Sequence, residues 1–97
     1  MKAVTPEYLD KVRFAVRRSS GTHVDAELTD IVQQCRADLE RLGVAEAVAE
    51  DEANPLILGA VRCFARWQFG INGDDADRNR EDYLLMADGI RKMRQPE

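Results

Sequence analysis

No stretch of this sequence approaches the ~18 consecutive apolar residues that a membrane-spanning helix requires. Its opening, MKAVTPEYLDKV, lacks the apolar core of a signal peptide, which makes an intracellular product the expectation. Metal-binding and redox residues are equally sparse. Cys35, Cys63 and the single histidine, His23, fall short of a closed four-ligand zinc site unless carboxylates join them, and there is no C-x-x-C. A disulfide would be out of place in a reducing compartment. Both cysteines fall on the apolar stripe of a predicted helix, which makes them small buried hydrophobes. A basic surplus is missing too. The formal charge of −4 and pI near 5.0 argue against a general binder of nucleic acid or anionic membranes, since either needs cations to displace counterions.

Catalytic signatures are absent as well. There is no glycine-rich phosphate loop, no HExxH and no pair of carboxylates framed by apolar residues. His23 sits in a predicted surface loop with no serine or cysteine nucleophile beside it, so no enzyme and no cofactor are expected. The stretch WQFGINGDDADRN invites comparison with a calcium loop, which needs ligands at alternate positions and a glycine at the sixth. Counting from Asn72, Asp74 is third, but Ala76 is fifth and Asp77 takes the glycine's place; counting from Asp74, Ala76 is already third. The aspartates have a sufficient role at a helix start, where they meet exposed amides and the positive dipole end. An irregular cation site from Asp74, Asp75 and Asp77 stays open beside that role.

What is present is helix. With 97 residues and 44% hydrophobic content, the chain supports one domain with one modest core, and no period-two alternation survives anywhere. Thr5, Pro6 and Glu7 open a first helix predicted from Pro6 to Arg18, ended by SSGT. Thr22 and Asp25 then form a capping pair for a second, whose apolar residues Leu28, Ile31, Val32, Cys35, Leu39 and Leu42 step by three or four. Its outer face is assigned Glu27, Asp30, Gln34, Arg36, Asp38, Glu40 and Arg41, and Gly43 stops it. VAEAVAEDEA reads as an irregular connector with one helical turn at most. Asn54 and Pro55 restart the pattern, and the third helix, Leu56 to Phe69, is apolar over most of its circumference, with Gly59, Arg62 and Arg66 sharing a polar notch. Gly70 closes it. The aspartates open a fourth helix running to about Met93, with Tyr83, Met86, Ala87, Ile90 and Met93 on its inward stripe. The expected class is all-α, a small bundle of about four helices with the apolar third at its centre.

Two helices carry apolar residues where a monomer needs none. Leu9, Val12 and Val16 define the inward stripe of the first, which leaves Phe14 nearly opposite, among Asp10, Lys11, Arg17 and Arg18. On the fourth, Leu85 lies well off the stripe and Leu84 at its margin. Such placements tilt toward association with another subunit. The basic residues Lys11, Arg13, Arg17 and Arg18 could alternatively mark a DNA-binding regulator, but a recognition helix opening with Asp25, Glu27 and Asp30 would repel phosphate.

Taken in order, TPEYLDKVRFAVR, DAELTDIVQQCRADLERLGV, NPLILGAVRCFARWQFG and DDADRNREDYLLM resemble the small head-tail connector, or head-completion adaptor, proteins of tailed bacteriophages and prophages. The resemblance covers nearly the full chain. It implies an all-α structural protein of the virion, assembled in the host cytoplasm, which forms a homo-oligomeric ring on the portal protein after DNA packaging. That ring would join the portal to stopper or tail completion proteins and pass DNA through its channel without specific binding. No cofactor and no membrane are implied. Phe14, Arg17, Leu84 and Leu85 are then candidate subunit contacts. Glu46, Glu50, Asp51 and Glu52 in the connector, and Asn72, Asp74 and Asp75 at the corner, are candidates to face a partner ring. A helical protein-interaction module unrelated to virions is the alternative.

Overall fold

Two of the helices begin where a capping side chain and a proline follow one another. The computed structural model describes residues 2–17, 21–69 and 73–93, and contains α1 (Pro6–Ala15), α2 (Thr22–Arg41), α3 (Glu46–Ala49), α4 (Pro55–Gln68) and α5 (Gly73–Lys92). The Thr5 hydroxyl accepts the Tyr8 N–H at 3.2 Å, and Asn54 Oδ1 accepts the Leu56 N–H at 2.9 Å. Pro6 and Pro55 stand at first-turn positions, where a missing N–H costs nothing. The all-α bundle is as the periodicity predicted, with no strand among the described residues, and the connector's one turn is α3.

The start of α2 is a correction. Gly21 is its N-cap, Thr22 is already helical, and among the described residues no side chain caps it. The Asp25 carboxylate is taken instead by Arg13, whose Nε and Nη2 donate to Oδ1 at 3.1 and 2.8 Å. A charged donor outcompetes a backbone amide for the same acceptor. His23 accordingly belongs to the exposed first turn of α2 rather than to a loop.

The end of α2 follows from Gly43. Its φ of 106° lets the Val44 N–H reach the Leu39 carbonyl at 2.9 Å and the Gly43 N–H the Glu40 carbonyl at 3.0 Å, a Schellman closure that tucks Val44 into the core. The same position on α1 is held by Arg17, whose φ of 56° stops that helix at Ala15, short of the expected Arg18; Arg18 lies outside the described residues. A left-handed non-glycine residue costs about 1–2 kcal/mol, of which glycine's extra freedom in the unfolded chain takes back about half. Arg17→Gly is therefore expected to stabilise the protein by ~0.5–1 kcal/mol and raise its thermal midpoint by about 4 °C. An unchanged melting curve would show that this conformation carries no strain.

α4 packs against α1, α2 and α5 and supplies the centre of the core through Ile57, Ala60, Val61, Cys63, Phe64 and Ala65. Tyr8, Leu9, Val12 and Val16 cover it from α1, and the whole predicted α2 stripe is buried except for the half-buried Leu42. Tyr83, Ala87 and Ile90 close the core from α5. Phe64 meets Trp67 edge-on at 5.5 Å and Tyr83 at 5.1 Å. Cys35 and Cys63 are free and buried, as expected of small hydrophobes, and burial pushes both thiols above their ordinary value, which keeps them protonated and unreactive.

One residue contradicts the predicted outer face of α2. Arg36 is 1% exposed. It is held inside because the N-terminal segment and Glu52, three residues past α3, converge on it: Nη1 donates to the Lys2 carbonyl at 2.8 Å and Nη2 to Glu52 Oε2 at 3.1 Å. Its guanidinium also lies 5.8 Å from the centre of the Tyr8 ring.

Candidate interaction surface

Glycine at two facing positions opens the surface between α4 and α5. Pro55, Leu56 and Gly59 on one helix, and Met86, Gly89, Ile90 and Met93 on the other, line a groove of about 400 Å³. A Cβ at Gly59 would meet Met86 Sδ at 3.8 Å, and one at Gly89 would meet nothing within 4 Å. The absence of these side chains is what keeps the groove open. Leu56, Met86 and Met93 are 48%, 41% and 53% exposed along its lip. Two expectations are corrected here. Met86 and Met93 are not on the inward stripe but at the edge of the buried arc centred on Tyr83, Ala87 and Ile90. Gly59 belongs not to a polar notch but to an apolar wall. Cys63 Sγ sits 3.9 Å from Met86 Sδ, at the floor of this edge.

Phe14, Leu84 and Leu85 lie where the helical wheel placed them, 86%, 39% and 73% exposed. Arg17 is exposed beside Phe14. Arg13, counted among the basic residues of the DNA-binding alternative, is committed to Asp10 and Asp25, which removes one cation from that face. Phe14 and the groove stand at opposite ends of the central helix. Arg66, in the last turn of α4, donates from Nε to the Ala15 carbonyl at 3.2 Å, which fixes the end of α1 there. The groove takes Pro55, Leu56 and Gly59 from the other end of α4, whose 14 residues span about 21 Å.

The acidic connector divides in two. Glu46 and Asp51 are exposed, with Asp51 Oδ1 also accepting the Ala53 N–H at 3.0 Å. Glu50 is half-buried and accepts the Lys2 N–H at 3.1 Å. Glu52 turns inward, where it accepts from the Thr5 hydroxyl, the Thr5 N–H and Arg36, so it serves the fold rather than an outer face. Burial works to raise its carboxyl, but those hydrogen bonds from Thr5 and Arg36 outweigh it and hold the group below its ordinary value. Periodicity gave no sign of this pairing, because Arg36 and Glu52 are 16 residues apart. Asn72 lies outside the described residues, as do the side chains of Asp74 and Asp75, whose backbone forms the first turn of α5. Among the described residues no three His, Cys, Asp or Glu side chains are grouped to hold a metal ion, and no helix is long and apolar enough to cross a membrane. Set against protein-family models, curated proteins and solved structures, the chain matches none.

Proposed function

We propose that this protein is a structural subunit of the head-tail connector type, which assembles into a ring on a phage portal protein, joins it to stopper or tail completion proteins, and encloses the DNA path. The observation that carries this reading is the pair of separate apolar surfaces, Phe14 at one end of α4 and the groove at the other, on a single helical subunit. A ring subunit needs two different patches that meet head to tail, whereas a twofold dimer can be built from one. The acidic balance of −4 suits a channel wall along which DNA slides without being gripped. The site would be the virion, assembled in the bacterial cytoplasm. Light scattering after size exclusion, over a concentration series with and without a portal, is the test. A closed ring in either condition is the expected result. A monomer that ignores the portal overturns the reading.

A further inference from the structure

Phe14 and the groove between α4 and α5 are a convex and a concave apolar feature on one rigid chain. The phenyl ring stands on the outer face of α1 at 86% exposure. The groove, at about 400 Å³, is lined by flexible methionine side chains, Leu56 and bare glycine backbone. An apolar cavity of about 150 Å³ already suffices to hold a benzene ring, so this groove admits a phenyl ring together with its flanking methylenes. Methionine adapts to such a guest and its sulfur gains from contact with an aromatic edge. Phe14 cannot enter the groove of its own chain, because the Arg66 to Ala15 hydrogen bond holds α1's end at the far end of α4.

The rims agree in charge. Beside Phe14, Asp10 is occupied by Arg13, which leaves Lys11 and Arg17 exposed one turn to either side. On α5, Lys92 and Arg91 are occupied by Asp88. Asp82 is exposed one turn before Met86, on the face of α5 that Met86 and Gly89 share. We infer that the groove seats Phe14 of a second copy of this chain, with Lys11 or Arg17 of that copy facing Asp82. This deepens the ring-forming reading and rests on it. Knob and socket are different surfaces, so the contact is head to tail and leaves a further knob and socket for the next copy. One seated phenyl ring covers far less than the ~800 Å² per partner of a standard interface. The contact alone is therefore weak, and the exposed Leu85, one turn before Gly89, or a template, adds the rest.

The test places the photo-crosslinker p-benzoylphenylalanine at position 14 and irradiates the pure protein at rising concentration, with mass spectrometry of the linked peptides. The expected product joins position 14 of one copy to Met86, Met93 or Leu56 of another, in a yield that rises with concentration. Gly89→Glu, whose Cβ meets nothing within 4 Å and so leaves the fold undisturbed, is expected to cut that yield at least tenfold. Links between copies that avoid the groove, or that survive Gly89→Glu, overturn the knob and socket while ring formation still stands. Absence of any link between copies up to millimolar protein also overturns it. The ring reading itself fails only if the portal experiment gives a monomer as well.

Discussion

Glu52→Gln is expected to destabilise the protein by about 3 kcal/mol, a large share of the ~5–15 kcal/mol available to a domain of this size. Arg36 is 1% exposed, and Glu52 is the only carboxylate among the described residues that pairs with it. Removing the partner leaves a buried cation without a countercharge, which typically costs ~3–5 kcal/mol. The lower end applies because the Glu52 side chain keeps 19% exposure, so water screens part of the loss. Urea denaturation measures it. Replacing both members, Arg36→Met with Glu52→Leu, should recover most of the stability, since well-packed apolar residues substitute for buried ion pairs at little cost. The pH dependence has a definite sign. Glu52's folded value is depressed below its ordinary 4.5, so its contribution is fully present above that pH and is lost as pH falls through the folded value. Glu52→Gln should flatten this acid limb. A variant within about 0.5 kcal/mol of wild type, the range of an ordinary surface substitution, would mean Arg36 is not held as described.

Tyr83→Ala is expected to cost about 4 kcal/mol, and Tyr83→Phe only about 1 kcal/mol. Tyr83 is 0% exposed at the middle of α5's buried arc, its ring 5.1 Å from Phe64 and 6.4 Å from Trp67. Truncation removes the wedge between α4 and α5, while loss of the hydroxyl removes only its polar contacts, the bond donated to Asp38 Oδ2 at 2.6 Å and the one shared with the Cys35 thiol. Asp38 keeps Arg41 as a second donor and retains 24% exposure, which keeps the smaller loss small. Thermal unfolding followed by the fluorescence of Trp67 separates the two. Burial also raises both core tyrosines, Tyr8 to about 12 and Tyr83 further still. Their contribution is complete below the unfolded value of 10.0 and is lost as pH rises past it. Tyrosinate absorbance should therefore appear together with alkaline unfolding, not ahead of it. Equal losses for the two Tyr83 variants would show that the hydrogen bond, not the ring, carries the position.

The sequence by itself determined the helices and most of their inward faces. Leu28 through Leu39 step by three or four and are buried, Thr5 with Pro6 and Asn54 with Pro55 start α1 and α4, and Gly43 ends α2. The outward placing of Phe14 and Leu85 followed from the same geometry, because about 100° per residue fixes which side chains share a face. Only the tertiary structure decided the fate of residues whose surroundings come from elsewhere in the chain. Arg36 is inside because Lys2, 34 residues away, and Glu52, 16 away, arrive to accept from its two terminal nitrogens. Asp25 left its predicted cap because Arg13 reached it first. Met86 lies on an exposed lip because α4 presents Gly59, with no side chain, opposite it. Periodicity reports the preference of one helix face. Whether the margin of that face is core or surface, and whether a charge on it is buried, depends on what the neighbouring segment brings within hydrogen-bond or van der Waals reach.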